Sequence, residues 1–260
     1  MTTFPPGTFT PRPGAAPAPR MLAAHTRTEF LVTVRNAEQL LLVLLIPLAL
    51  LVGLATLPLL PVPDGVSRVD EVAPRVLALA VMSSAFTGQA IALGFDRRYG
   101  VLKRLAATAL PAWTIVAGRL VALLGVVALQ LAVLSAVALA IGWHPAVAGL
   151  AWVVPVVLLG TLAFGAIGVL LGGALRAEVV LALANALWFV LLVAGGIAVA
   201  AGDLPGWLGG LVRFLPSGAL VEGLRRVLLE GLAPGWGVAA VLAAWAVLAG
   251  AAAARLLRLA

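Results

Sequence analysis

Residues 114–172 read TIVAGRLVALLGVVALQLAVLSAVALAIGWHPAVAGLAWVVPVVLLGTLAFGAIGVLLG, with one formal charge, Arg119, near the start. A membrane-crossing helix needs about 20 apolar residues, so this run holds two spans. Gly142-Trp143-His144-Pro145 supplies the turn between them. The rest of the 260-residue chain agrees with that reading. It is 63% hydrophobic with 28 further glycines, and 10% charged where roughly 25% is usual in a soluble domain. A soluble fold of this composition would expose large apolar patches and aggregate. Lipid is therefore the main solvent.

Working outward from that run, the same criterion predicts six spans near 40–60, 75–95, 114–140, 149–172, 179–202 and 235–254, an all-α integral membrane protein. Pro47 and Pro155 fall inside spans, which a membrane tolerates when neighbouring helices satisfy the freed carbonyls. Residues 1–20 hold six prolines and no apolar run, which predicts a disordered tail without the features of a signal peptide. Residues 21–38 are too polar to cross. On a helical wheel Ala23, Phe30, Val34 and Ala37 share one face, with His25, Glu29 and Asn36 opposite. Two readings stand for this segment: a helix lying in the membrane interface, or a short solvated helix. Residues 39–260 then form the six-span domain, with a loop at 96–112 and a polar, Leu/Gly/Trp-rich segment at 203–234.

The charges give an orientation. With the N-terminus, the 96–113 loop, the 173–178 loop, the C-terminus and Arg119 on one side, that side holds twelve Lys/Arg and four acids, or +8. The other holds five and six, or −1, and together they make the chain's +7. The positive-inside rule then puts both termini in the cytoplasm. Basic charge facing an anionic inner leaflet makes nucleic acid unnecessary as a partner.

The residue inventory excludes most catalytic chemistry. A P-loop needs a lysine after glycine at fixed spacing. The sole lysine, Lys103, sits in Gly100-Val101-Leu102-Lys103-Arg104, so the chain has no such loop. There is no cysteine, and His25 and His144 fall on opposite sides in this topology, which leaves no two-histidine metal site. No Asp, Glu, Lys or Arg falls near the middle of a span, which argues against an ion-coupled carrier or proton pump. Uncharged polar residues do occur in spans: Ser83, Ser84 and Thr87 on one face of the second, Gln130 in the third and Asn185 in the fifth. They either join helices by hydrogen bonds or line a conduit. Gly160, Gly165, Gly168 and Gly172 in the fourth span read as close helix packing.

Two segments outside the spans stand out. The loop Asp96-Arg97-Arg98-Tyr99-Gly100-Val101-Leu102-Lys103-Arg104-Leu105 is basic, with Val101, Leu102 and Leu105 forming a small apolar ridge. A positive-inside anchor explains the cations but not the ridge; a docking helix for a cytoplasmic partner explains both. In 203–234, Ser217 after Pro216 can cap a helix whose Leu220, Leu224, Val227 and Leu228 share a face. Glu222–Arg226 and Arg226–Glu230 are i,i+4 pairs, and Gly231 is a stop. An outer cap or gate and a helix resting on the outer leaflet both fit.

Three stretches carry a family resemblance: TRTEFLVTVRNAEQLLLVLLIPL at 26–48, FDRRYGVLKRLAATALPAWTIVAGRL at 95–120 and FLPSGALVEGLRRVLLEG at 214–231. In this order and spacing the chain, over about 22–255, resembles the membrane subunits of type-2 ABC exporters, which include drug-resistance and polysaccharide-export permeases. It departs from them in having Asp96 where members often carry a Glu-rich start, and in the late proline, Pro111. The resemblance implies one half of a permease in the bacterial inner membrane, paired with a second identical or paralogous subunit. A separate pair of ATPase subunits would bind ATP and Mg, and this chain would bind no cofactor. It implies a coupling helix at 96–108, a connecting helix at 22–38 and an outer re-entrant element at 204–230, with Pro216, Ser217, Leu220, Glu222 and Arg226 as gate residues. It also implies that the second and fifth spans face the dimer axis. That would put Ser83, Ser84, Thr87, Asn185 and Phe189 near a path for hydrophobic or amphipathic molecules. The competing readings are an ATP-independent channel or carrier, and a membrane-embedded enzyme or anchor.

Overall fold

The computed structural model describes residues 16–58, 62–63, 65–108, 110–197 and 206–256. Most of the expected tail (1–15) and the start of the polar segment (203–205) lie outside them. Among the described residues the chain is helical throughout, without a strand. In order come α1 (Ala18–Arg35), α2 (Ala37–Thr56), α3 (Arg68–Met82), a π-helical turn (Ser83–Gly88), α4 (Gln89–Arg98) and α5 (Val101–Ala106). Then follow α6 (Ala112–Ala140), α7 (Leu150–Ala174), α8 (Ala177–Ala194), α9 (Gly206–Val212), α10 (Pro216–Leu228) and α11 (Trp236–Leu256). Four helical runs are long and apolar enough to cross a membrane: Arg68–Arg98, Trp113–Ala140, Val147–Ala174 and Trp236–Leu256. Val43–Thr56 and Ala177–Val193 are shorter apolar helices.

The second run starts seven residues earlier than expected, at Arg68 rather than 75. Hydropathy stops at Arg68, Asp70, Glu71 and Arg75, but local chemistry carries the helix through them. The Ser67 hydroxyl accepts from the Asp70 amide at 3.1 Å as an N-cap. Asp70 and Glu71 sit in the first turn, where the helix dipole favours acids. Arg75 donates back to Glu71, one turn earlier, at 2.5 Å. The Asp70 carboxylate also accepts from the His144 backbone amide at 2.7 Å, tying α3 to the α6–α7 turn. That turn falls where the sequence placed it, with Gly142 at φ +95°.

α3 forms the centre of the bundle. Every residue from Glu71 to Met82 is buried, enclosed by α2, α6, α7 and α10. α7 presents its glycine face to this centre: a Cβ on Gly168 would meet the Phe86 carbonyl oxygen at 2.7 Å, and one on Gly172 would overlap the Ala90 carbonyl oxygen. The close packing expected of these glycines is thus present. α11 lies along the other side of α7.

Pro47 shows how a broken ladder is repaired. Proline lacks an N–H, so the Val43 carbonyl loses its donor four residues on. The Gln130 side-chain amide of α6 donates to that carbonyl at 2.8 Å, and its other end accepts from Ser84 Oγ at 2.7 Å. Gln130→Leu removes both bonds. Interhelical bonds in membranes are worth about 0.6 kcal/mol each, and a buried group left unpaired costs about 1–3 kcal/mol. The variant should therefore unfold in detergent with a stability loss of about 2 kcal/mol; an unchanged unfolding midpoint would show that the bridge carries no weight.

α1 differs from the wheel reading. It starts at Ala18, inside the expected tail, with Pro17 as N-cap, and runs along the first half of α6. His25, placed on the polar face by the wheel, is buried there, and Ala23, placed on the apolar face, is exposed. The reason is the partner. A Cβ on Gly118 would meet the His25 ring at 2.5 Å, and one on Gly125 the Phe30 ring at 3.2 Å, so two glycines on α6 open a groove for these rings.

Candidate functional site

The α4–α5 elbow begins where α4 ends at Arg98. Gly100 adopts φ +69°, ψ 20°, a left-handed conformation that costs an L-residue roughly 1–2 kcal/mol. The chain turns there into α5, none of whose residues is buried.

The charged residues of the elbow do different jobs. Arg97 Nη1 donates to the Gly172 carbonyl at 3.0 Å and to the Leu175 carbonyl at 3.3 Å, so it closes the C-terminal end of α7. These carbonyls have no helical donor, and a cation suits a helix C-terminus. Arg98 pairs with Glu178 in the first turn of α8, and lies 5.9 Å from the Tyr99 ring centroid. Asp96 pairs with Arg119 of α6 at 2.7 Å, and Arg119 also donates to Gln89 at 3.1 Å. Arg104 donates to the Tyr99 carbonyl at 3.2 Å, closing the elbow on itself.

Three anchors thus fasten the last turn of α4 to α6, α7 and α8. What remains outward is Tyr99, 64% exposed, the exposed Lys103, and a half-exposed ridge of Val101, Leu102 and Leu105. The sequence placed Arg97 and Arg98 among the cations of a docking helix; the structure turns both back onto the α7–α8 junction. Arg119 entered that reading only in the charge count, not as a partner of the elbow. The available signal was one cation in an otherwise uncharged 59-residue run, opposite the Asp96 in the last turn of α4.

The residues read as a path do not form one surface. Ser83 and Ser84 point to different neighbours: Ser83 Oγ accepts from the Trp188 indole of α8 at 2.9 Å, while Ser84 bonds Gln130 of α6. Adjacent residues of a helix point about 100° apart, which already sends the two hydroxyls to different neighbours. Ser84 is buried, and the Thr87 hydroxyl is buried without a hydrogen-bond partner. On α8, Asn185 is exposed and bonds its own backbone at Leu181, at 2.9 Å. Phe189, 62% exposed, packs edge-on to Trp188.

At the opposite end, α10 packs against α3 and α7. Leu220, Leu224, Val227 and Leu228 are buried, as the wheel predicts, and Gly231 takes φ +70° after the helix. Two details are corrected. Ser217 does not cap: Leu215 is the N-cap, Pro216 opens the helix, and the Ser217 hydroxyl is buried and unpaired. Proline's fixed φ suits the first helical position, so the helix begins two residues earlier than a Ser217 cap would start it. The carboxylates go to Arg225 rather than Arg226, with Glu230 at 2.9 Å and Glu222 at 4.0 Å. Arg226 donates to the Ala233 carbonyl at 3.3 Å, because the chain folds back after Gly231.

A centrally packed helix bundle with four spanning-length helices and an anchored polar elbow defines a multi-pass membrane protein. The sequence model of the ABC-2 type transporter family matches residues 21–229. The chain belongs to that family, as the permease component of an ABC transporter rather than a catalytic domain, and the family implies association with an ABC ATPase. No curated protein matches the chain.

Proposed function

We propose that the chain is a six-span half of an ATP-driven exporter in the bacterial inner membrane, with both termini cytoplasmic. It pairs with a second permease subunit and moves hydrophobic or amphipathic molecules. Its ATPase partners bind ATP and Mg, and dock on residues 96–108. The two shorter apolar helices, Val43–Thr56 and Ala177–Val193, supply the spans beyond the four long ones. α1 serves as the connecting helix, and α9–α10 as the outer element.

The observation that carries this reading is the division of labour in the elbow. Asp96, Arg97 and Arg98 bind it to three helices, while Tyr99, Leu102, Lys103 and Leu105 stay outward. A lever fixed at one end and bare at the other suits the transfer of movement from a cytoplasmic partner. An apolar ridge edged by charge also suits a protein groove. The test is reconstitution in vesicles with an ABC ATPase that co-purifies with this chain. Amphiphile flux that needs both subunits and hydrolysable ATP is expected. Flux from this chain alone, without nucleotide, would establish the channel or carrier reading in its place.

A further inference from the structure

We propose that the α10 end of the chain holds a site for an anionic phospholipid with a hydroxylated headgroup, in the cavity bounded by α3, α9, α10 and the start of α11. The site stands independently of the export reading. The cavity measures about 970 Å³, ample for a headgroup and the upper part of an acyl chain.

Its charged lining is Arg75, Arg213, Arg225 and Arg226 against Glu71 and Glu222, two more cations than anions. The arginines are not equally committed. Arg75 Nη2 and Nε both bond one oxygen of Glu71, Oε1, at 2.5 and 3.2 Å. Arg225 faces Glu222 and Glu230. Arg226 spends its Nε on the Ala233 carbonyl. Arg213 is exposed and has no ion-pair partner among the described residues. The planar guanidinium matches a phosphate with two parallel bonds.

Glu71 supplies the second requirement. The residue is 3% exposed, and its Oε2 is buried without a hydrogen-bond partner. An ionised carboxylate oxygen accepts only, so the missing group is a donor. Glu71 lines the cavity, and a turn of its carboxylate toward that space would let a headgroup hydroxyl beside the phosphate supply the donor. The remaining wall, with Val212, Phe214, Val238 and Val241, is apolar and suits an acyl chain. A free phosphate would leave that wall unused, and a neutral lipid would leave the surplus cations unmatched.

The experiment is native mass spectrometry of the full chain in a neutral detergent, without ATPase or nucleotide. It is titrated separately with phosphatidylglycerol, phosphatidylcholine, diacylglycerol and inorganic phosphate. Phosphatidylglycerol should be retained most tightly. Arg213→Gln should weaken its retention by roughly tenfold, as expected for one charge-assisted hydrogen bond. Gly237→Trp fills the cavity from a position where a Cβ meets open space, and should remove the retention. Both variants are checked against the parent by elution volume and unfolding midpoint; if the tryptophan disturbs folding, Arg213→Gln decides. Equal retention of all three lipids, insensitivity to Arg213→Gln, or inorganic phosphate binding as tightly as phosphatidylglycerol would each overturn the proposal.

Discussion

Replacing Leu102 or Leu105 with aspartate is expected to detach the ATPase while the chain still inserts and folds. α5 contributes no buried residue, so the intrachain loss is small. Against a partner the same change is severe. It removes an apolar anchor of the kind that costs at least about 2 kcal/mol when truncated, and it puts an unpaired carboxylate into a desolvated contact. Affinity should fall by at least about thirtyfold, enough to lose co-purification. Lys103→Ala, at the exposed rim, should cost about 1 kcal/mol or less. The measurement is ATPase retention on the tagged permease, with elution volume as the check on folding. Full retention with both aspartates would remove the coupling role from α5.

Gly172→Ala is expected to cost more than its single methyl suggests. The added Cβ would overlap the Ala90 carbonyl oxygen and lie 3.1 Å from Leu93 Cβ, so α4 and α7 must separate. Overpacking typically costs about 1–3 kcal/mol, and here the obstacle is backbone, which has no rotamer to change. Moving α7 would also lift the Gly172 carbonyl off Arg97, weakening the elbow from behind. Gly53→Ala on α2 is the matched control, since a Cβ there meets nothing within 4 Å and alanine favours a helix. The unfolding midpoint in detergent should drop for Gly172→Ala and hold or rise for Gly53→Ala. Equal behaviour of the two would show that the α4–α7 contact has slack.

Much of the helical layout was legible because it depends on composition over long windows. The runs at 112–140 and 236–256 needed little more than apolar length, and the α6–α7 turn needed only Gly142 and Pro145. Where charge interrupts a helix, composition misleads. Arg68–Arg75 looks like a loop until the Ser67 cap and the Glu71–Arg75 pair neutralise it. Pairing across the bundle was harder still. That Asp96 meets Arg119, that Arg97 closes α7, and that His25 seats on Gly118 are choices between distant segments, which a helical wheel does not see. The elbow was therefore visible as a motif, but the division between its anchored and outward residues was not.

The π-helical turn at Ser83–Gly88 bears on which changes of length the chain can absorb. A loop accepts an added residue at little cost. This turn does not, because an α-helix rotates about 100° per residue. One residue inserted or deleted there would swing every position from Gln89 to Arg98 through that angle. Asp96 would leave Arg119, Arg97 would leave the Gly172 carbonyl, and Arg98 would leave Glu178 together. The wide turn thus sets the phase of the whole elbow from inside the bundle. Drift in length is open to the surface loops and closed to this one stretch of buried helix.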